Sequence, residues 1–181
     1  VSKPLIISDF DGVFNIVNVI DAAREVWADV EDYSFDAESG HLGKIYRLGS
    51  MSSPTLIKNF SRIVSSDAVE AKWLTTWKQD TEAFPAALGF PVMEWLDEPK
   101  DLPYDPWWKL VVMQNLVAEV GSDTPILWID DDINMNGDTQ EWLPTVPQVE
   151  AMSPDTFKGL TPTEVAQISS FVEKHTGAKI D

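Results

Sequence analysis

The chain has 181 residues, 44% of them hydrophobic and eight of them tryptophan, with no cysteine and a formal net charge of -17. That size and apolar content suit one domain with a real core and argue against disorder, while the missing cysteines exclude disulfides, thiolate metal sites and a cysteine nucleophile. The charge disfavours an extended grip on nucleic acid, yet it leaves room for a phosphorylated small molecule or chain end, because a bound divalent cation reverses the local sign. No apolar stretch approaches the roughly 18 residues of a membrane span, and the N-terminal residues lack a signal-peptide succession. The expectation is a soluble, cytoplasmic protein.

In chain order, the first apolar run, Pro4-Leu5-Ile6-Ile7-Ser8, predicts a strand near 4 to 9 and leads straight into Asp9-Phe10-Asp11-Gly12-Val13. Two aspartates one residue apart, after a strand and before a glycine, place one carboxylate as a nucleophile and the other as its acid/base partner. Such a pair points to phosphoryl chemistry. Residues 14 to 52 read as a β-hairpin or flap: Tyr33-Ser34-Phe35 and Lys44-Ile45-Tyr46-Arg47-Leu48 flank the polar Glu38-Ser39-Gly40-His41. Ser53-Pro54 marks a helix start; Asn59-Phe60-Ser61, which spells a glycosylation acceptor, falls inside that helix and is discounted.

Further strands are predicted near 70 to 75, ending in Thr75-Thr76-Trp77, more weakly near 92 to 96, and near 125 to 130, ending in Asp130-Asp131-Asp132. Between the last two, Asp105-Pro106 starts a helix carrying Lys109 in its first turns. Its Met113, Leu116, Val117 and Val120 recur at helical spacing, and Gly121 stops it. A strand near 148 to 151 follows. Thr161-Pro162 then opens the last helix, with Glu164 completing a capping box. Strands alternating with helices predict an α/β fold, a single Rossmann-like three-layer domain over 1–181 with a mainly parallel sheet and a small flap after the first strand.

In such a sheet the ligand crevice lies outside the carboxyl ends of the strands. That edge collects Asp9, Asp11, Thr75 or Thr76, and Asp130 to Asp132, with Lys109 close by; Lys100 is a weaker candidate for the lysine. Trp77, Trp107 and Trp108 fall near the same edge, where they either stack on a nucleobase or, more ordinarily for tryptophan, pack into the core. His41 and His175 are too scattered for a metal site and are expected at the surface.

The set resembles the haloacid dehalogenase (HAD) superfamily of phosphohydrolases, whose short motifs occur in this order. Asp9, Asp11, Gly12 and Val13 match the first motif, Thr75 or Thr76 the second, Lys109 the third, and Asp130 with Asp131 the fourth, over about residues 4 to 135. Asp-Gly-Val-x-Asn at Asp11 to Asn15, Trp-Leu-Thr-Thr-Trp and Trp-Ile-Asp-Asp-Asp resemble small phage and bacterial HAD domains, including those attached to RNA-repair modules. The resemblance implies an Mg²⁺-dependent phosphatase acting through an aspartyl-phosphate on Asp9, with Asp11 as acid and base. It implies that Thr75 binds a phosphoryl oxygen and that Lys109 neutralises charge. The Asp9 carboxylate, the Asp11 main-chain carbonyl and Asp131, or else Asp130, would hold the metal. Residues 14 to 52 would be a minimal cap, and the expected substrate is a phosphorylated small molecule, a nucleotide or a nucleic-acid end. The alternatives are a HAD scaffold that binds without turnover, or a phosphotransferase.

Overall fold

The computed structural model describes residues 2–16, 20–39, 44–77, 87–100 and 107–180. Five parallel strands form the central sheet in the order β5-β4-β1-β6-β7: β1 Leu5–Ser8, β4 Glu70–Trp73, β5 Glu94–Trp95, β6 Ile126–Ile129 and β7 Val149–Met152. All four residues of β1 and all four of β6 are buried, as expected of central parallel strands covered on both faces. Successive residues point to opposite faces and divide the core in two. Ile6, Leu127 and Ile129 join one apolar cluster, while Leu5, Ile7, Ile126 and Trp128 join the other.

Against the first face pack α2, Pro54–Val64, and the C-terminal helix α5, Pro162–Thr176; against the second packs α3, Trp108–Val120. Layers of helix, sheet and helix make this a Rossmann-like α/β fold. Ser53 caps α2 by accepting from the Leu56 N–H at 3.1 Å, and Thr161 and Glu164 form the predicted capping box on α5. Asn59 lies inside α2, as foreseen. In α3 Met113 and Leu116 are buried, Val117 and Val120 partly so, and the Gly121 N–H closes the helix on the Val117 carbonyl. The helix begins at Trp108 with Trp107 as its N-cap, later than the predicted start at Asp105-Pro106, which, like Gly40 and His41, lies outside the described residues.

After β1 the chain forms a short helix, α1 Ile20–Val26, which the sequence reading did not foresee. It then forms the expected hairpin, β2 Glu31–Ser39 antiparallel to β3 Lys44–Ser52. The foot of the hairpin is tied to the loop after β1. Ile16 N–H donates to the Met51 carbonyl at 2.9 Å, and the Ser52 hydroxyl donates to the Phe14 carbonyl at 2.8 Å. Between β6 and β7 lie a 3₁₀ turn, Ile133–Met135, and a six-residue helix, α4 Gly137–Trp142, also unforeseen. His175, expected at the surface, is partly buried, because helical spacing stacks it on Phe171 at 4.8 Å between ring centroids and turns it toward Glu150 of β7.

Register fixes what the sheet delivers to its edge. Ser8 pairs with both Trp73 and Ile129, and Ile129 pairs with Met152, so four strands end level. The residues just beyond them, Asp9, Leu74-Thr75, Asp130 and Ser153, therefore share one rim.

Candidate active site

Asp9 follows β1 directly, and its backbone N–H continues the ladder to the Ile129 carbonyl at 2.8 Å. The next residue, Phe10, is fully buried among Phe14, Trp73, Trp77 and Phe90, with ring centroids 5.7 to 6.4 Å away. Burying such a ring contributes about 1.5–3 kcal/mol, enough to anchor the turn that aims its neighbours. Gly12 has φ +67° and donates its N–H to the Asn15 carbonyl at 2.8 Å, closing that turn in a conformation that favours glycine.

Lys109 enters from the first turn of α3 and is only 4% exposed. Its ammonium donates to Asp9 Oδ2 at 2.5 Å and to Asp130 Oδ2 at 2.7 Å, and it sits 5.7 Å above the centroid of the Trp107 ring. The other oxygens of these acids also have partners: Asp9 Oδ1 accepts from the Phe10 N–H at 2.7 Å, and Asp130 Oδ1 from the Asp132 N–H at 3.0 Å. Thr75, buried at the end of β4, brings its hydroxyl to the Asp9 carboxylate.

Two buried carboxylates thus share one ammonium, and the electrostatics record the deficit. Burial pushes the Asp9 carboxyl up, against the pull of Lys109. Asp130 is pushed up to about 7, first by burial and then by the Asp9 charge, with Lys109 opposing. Burial lowers the Lys109 ammonium, but the charges and hydrogen bonds of Asp9 and Asp130 together outweigh it and hold its pKa above the usual lysine value. All three shifts favour taking up positive charge.

Asp131, half-buried beside this triad, accepts a 2.6 Å hydrogen bond at Oδ2 from the Thr156 hydroxyl. Burial raises its pKa, with the Thr156 bond opposing. Asp9, Asp130 and Asp131 each bring a carboxylate oxygen within 4.8 Å of the others. Close carboxylates repel by about 4 kcal/mol per pair at an effective dielectric near 20. An all-oxygen donor set with this surplus of negative charge fits a hard divalent cation such as Mg²⁺.

Asp11 points elsewhere. Its Oδ1 accepts from the Asn15 amide at 2.6 Å and its Oδ2 from the Trp77 indole N–H at 2.7 Å; Asn15 Oδ1 in turn accepts the Met51 N–H of the hairpin at 3.0 Å. Of the sequence candidates, the structure brings Asp9, Thr75, Lys109, Asp130 and Asp131 together, with Asp11 one turn away. Thr76, Lys100 and Asp132 have exposed side chains, and Asp132 contributes its backbone N–H instead. Trp107 stacks on Trp128 at 5.5 Å and packs with Trp108 against the second core cluster, so both follow the ordinary course for tryptophan. Trp77 packs against the first core cluster as the ordinary reading expects, and in addition donates its indole N–H to Asp11.

Sequence reading missed Trp77 in that role, along with Ser153 and Thr156. One signal was available for the last two: β7 ends on the same rim, so the polar Ser153-Pro154-Asp155-Thr156 run after it belongs beside the site.

No protein-family model matches the chain, and no curated protein does. Among solved structures, an essential RNA polymerase II CTD phosphatase, Fcp1, aligns over 98% of this chain and 50% of its own at 17% identity, with a TM-score of 0.45. The fission yeast RNA polymerase II CTD phosphatase Fcp1 bound to beryllium fluoride aligns over 98% of this chain and 52% of its own at 15% identity, with a TM-score of 0.43. The chain spans about half the length of the structures it matches.

Proposed function

We propose that this protein is an Mg²⁺-dependent phosphatase of the haloacid dehalogenase type, hydrolysing a phosphomonoester through an aspartyl-phosphate on Asp9. The observation that carries the reading is the Lys109 ammonium held between the buried Asp9 and Asp130 carboxylates at 2.5 and 2.7 Å, with Thr75 and Asp131 on the same rim. A structural ion pair needs one acid for one lysine; two acids on one lysine, with a third alongside, suit a site that also handles a cation and an anionic substrate.

In the first step an Asp9 oxygen forms a bond to phosphorus while the bond from phosphorus to the leaving oxygen breaks, and Asp11 gives that oxygen its proton. In the second, water attacks the phosphorus, Asp11 takes the water proton, and the Asp9 oxygen leaves. Lys109 orients the Asp9 carboxylate and offsets charge gathering on the phosphoryl oxygens, and Thr75 donates to one of them. Asn15 and Trp77 hold both Asp11 oxygens away from Asp9, so its two proton transfers require Asp11 to turn from them toward the leaving oxygen. Asp9, the Asp11 main-chain carbonyl and Asp131, with Asp130 as the alternative, would hold Mg²⁺, which neutralises phosphoryl charge when bound.

The substrate we propose is a nucleotide or a short nucleic-acid end. The net charge of -17 works against a long polyanion, while among the described residues the insertion between β1 and α2 consists of a short helix and a hairpin. The test is phosphate release from nucleotides, sugar phosphates and 5′- or 3′-phosphorylated oligonucleotides, with Mg²⁺ or with EDTA. Release is expected to need the metal and to fall at least about a thousandfold in Asp9→Asn. Undiminished activity in Asp9→Asn would refute the nucleophile, and metal binding without turnover of any substrate would refute the enzyme.

A further inference from the structure

The segment from Ser153 to Leu160 is a compact loop fastened at both ends to the site. At its start the Ser153 hydroxyl donates to the Asp131 main-chain carbonyl at 2.9 Å. At its end the Leu160 N–H donates to the Val13 carbonyl at 2.9 Å, and Gly159, at φ +65°, lies so close that a Cβ there would be 2.7 Å from that carbonyl oxygen. Within the loop, the Gly159 and Lys158 N–H groups both donate to the Asp155 carbonyl, and the Phe157 N–H donates to Asp155 Oδ1 at 2.9 Å. Thr156 is therefore presented on a braced support.

Its hydroxyl meets Asp131 Oδ2 at 2.6 Å, and the same carboxylate lies against the Gly12 backbone. A Cβ on Gly12 would lie 2.2 Å from Asp131 Cγ and Oδ2 and 2.7 Å from Oδ1. Held by the Gly12 backbone and the Thr156 hydroxyl, the carboxylate has Oδ2 engaged by a side-chain donor, and its own backbone N–H also bonds to it. One oxygen of this carboxylate belongs to the group of three acids whose oxygens converge within 4.8 Å.

We infer that Thr156 is a positioning residue for metal binding: its hydroxyl holds the Asp131 carboxylate at the angle that presents an oxygen to a divalent cation. The inference rests on the metal-dependent reading of the site above. A carboxylate next to Asp132, whose charge repels it, swings outward unless something holds it, and fixing one rotamer in advance removes that ordering cost from the binding step. Outer hydrogen bonds of this kind typically change metal affinity by about 10–100-fold.

The test measures Mn²⁺ binding by electron paramagnetic resonance, with Mg²⁺ as competitor, on wild type, Thr156→Val and Thr156→Ser. Thr156→Val keeps the shape and loses the donor; its dissociation constant is expected to rise by about tenfold or more, while the melting temperature of the metal-free protein stays near wild type. Thr156→Ser restores the hydroxyl and is expected to return to within about threefold of wild type. Equal affinity in Thr156→Val and wild type overturns the inference alone and leaves the phosphatase reading standing. Thr156→Ser binding as weakly as Thr156→Val also overturns it, since shape rather than the hydroxyl would then matter. A wild type that binds neither cation overturns both. Metal binding that depends on Thr156 in a protein without turnover supports the inference and refutes the enzyme.

Discussion

Without a divalent cation, this protein is expected to lose stability as pH rises from about 5 to about 8, and saturating Mg²⁺ is expected to flatten that loss. The perturbation acts on Asp130, whose carboxyl is pushed up to about 7 from the ordinary 3.8. An acid that holds its proton more tightly in the folded state makes folding most favourable at low pH, and the advantage is lost as pH climbs from the unfolded pKa to the folded one. Across the whole window that is about 4 kcal/mol; between about pH 5 and 8 it is roughly 2–3 kcal/mol, or about 5–10 °C in melting temperature for a chain of this size. Asp9, also raised, adds in the same direction, whereas Asp29 and Glu150 have lowered pKa values and act below this window. The raised Lys109 keeps its proton throughout. Urea unfolding in EDTA across the range, repeated with Mg²⁺, measures the effect, and Asp130→Asn separates it from the general charge of the molecule. Stability in EDTA that is flat or rises from about pH 5 to 8 would refute the charge accounting at the site.

Lys109→Met removes the one ammonium shared by Asp9 and Asp130 and is expected to cost the metal-free protein about 3–5 kcal/mol at neutral pH, less at acid pH where Asp130 takes a proton. Urea unfolding at the two pH values checks it; an unchanged midpoint would mean the bridge has no energetic weight. Gly12→Ala puts a methyl into the Asp131 carboxylate at a position with φ +67°, so it is expected to lose about 1–2 kcal/mol from backbone strain and about tenfold in Mn²⁺ affinity. A Mn²⁺ titration beside the unfolding curve separates the two losses, and wild-type affinity in this variant would show that Asp131 need not lie against Gly12.

Most of the scaffold was legible because its signals are local or periodic. Leu5-Ile6-Ile7-Ser8 and Ile126-Leu127-Trp128-Ile129 are unbroken runs suited to strands covered on both faces, and Ser53-Pro54 and Thr161-Pro162 carry their caps in their own spelling. Level strand ends turn that local reading into a spatial one, since whatever follows each run lands on one rim. The hydrogen bonds that orient the acids were not legible. Asn15 and Trp77 reach Asp11 from 4 and 66 residues away, and Thr156 reaches Asp131 from 25 residues away in a loop with no period to read. Helix α1 has only seven residues and owes its place to Ala23 packing in the core rather than to a long amphipathic pattern.

Asp130 and Asp131 are interchangeable as letters, and only the third dimension distinguishes them. Directly beyond β6, Asp130 continues the buried side of the rim, where one oxygen takes the Lys109 ammonium and the other the Asp132 N–H. Asp131 lies against the Gly12 backbone, half-buried, with the Thr156 hydroxyl on Oδ2. Burying a lysine is costly unless partners hold it, so Lys109 commits Asp9 and Asp130 to its own charge balance. Among the described residues no ammonium pairs with Asp131, and Lys109 acts on it only through space. In a chain with 30 acidic and 13 basic residues, that unpaired acid beside two buried carboxylates is where a divalent cation would relieve the most repulsion. It also accounts for the close grip of Gly12 and Thr156 on that one carboxylate.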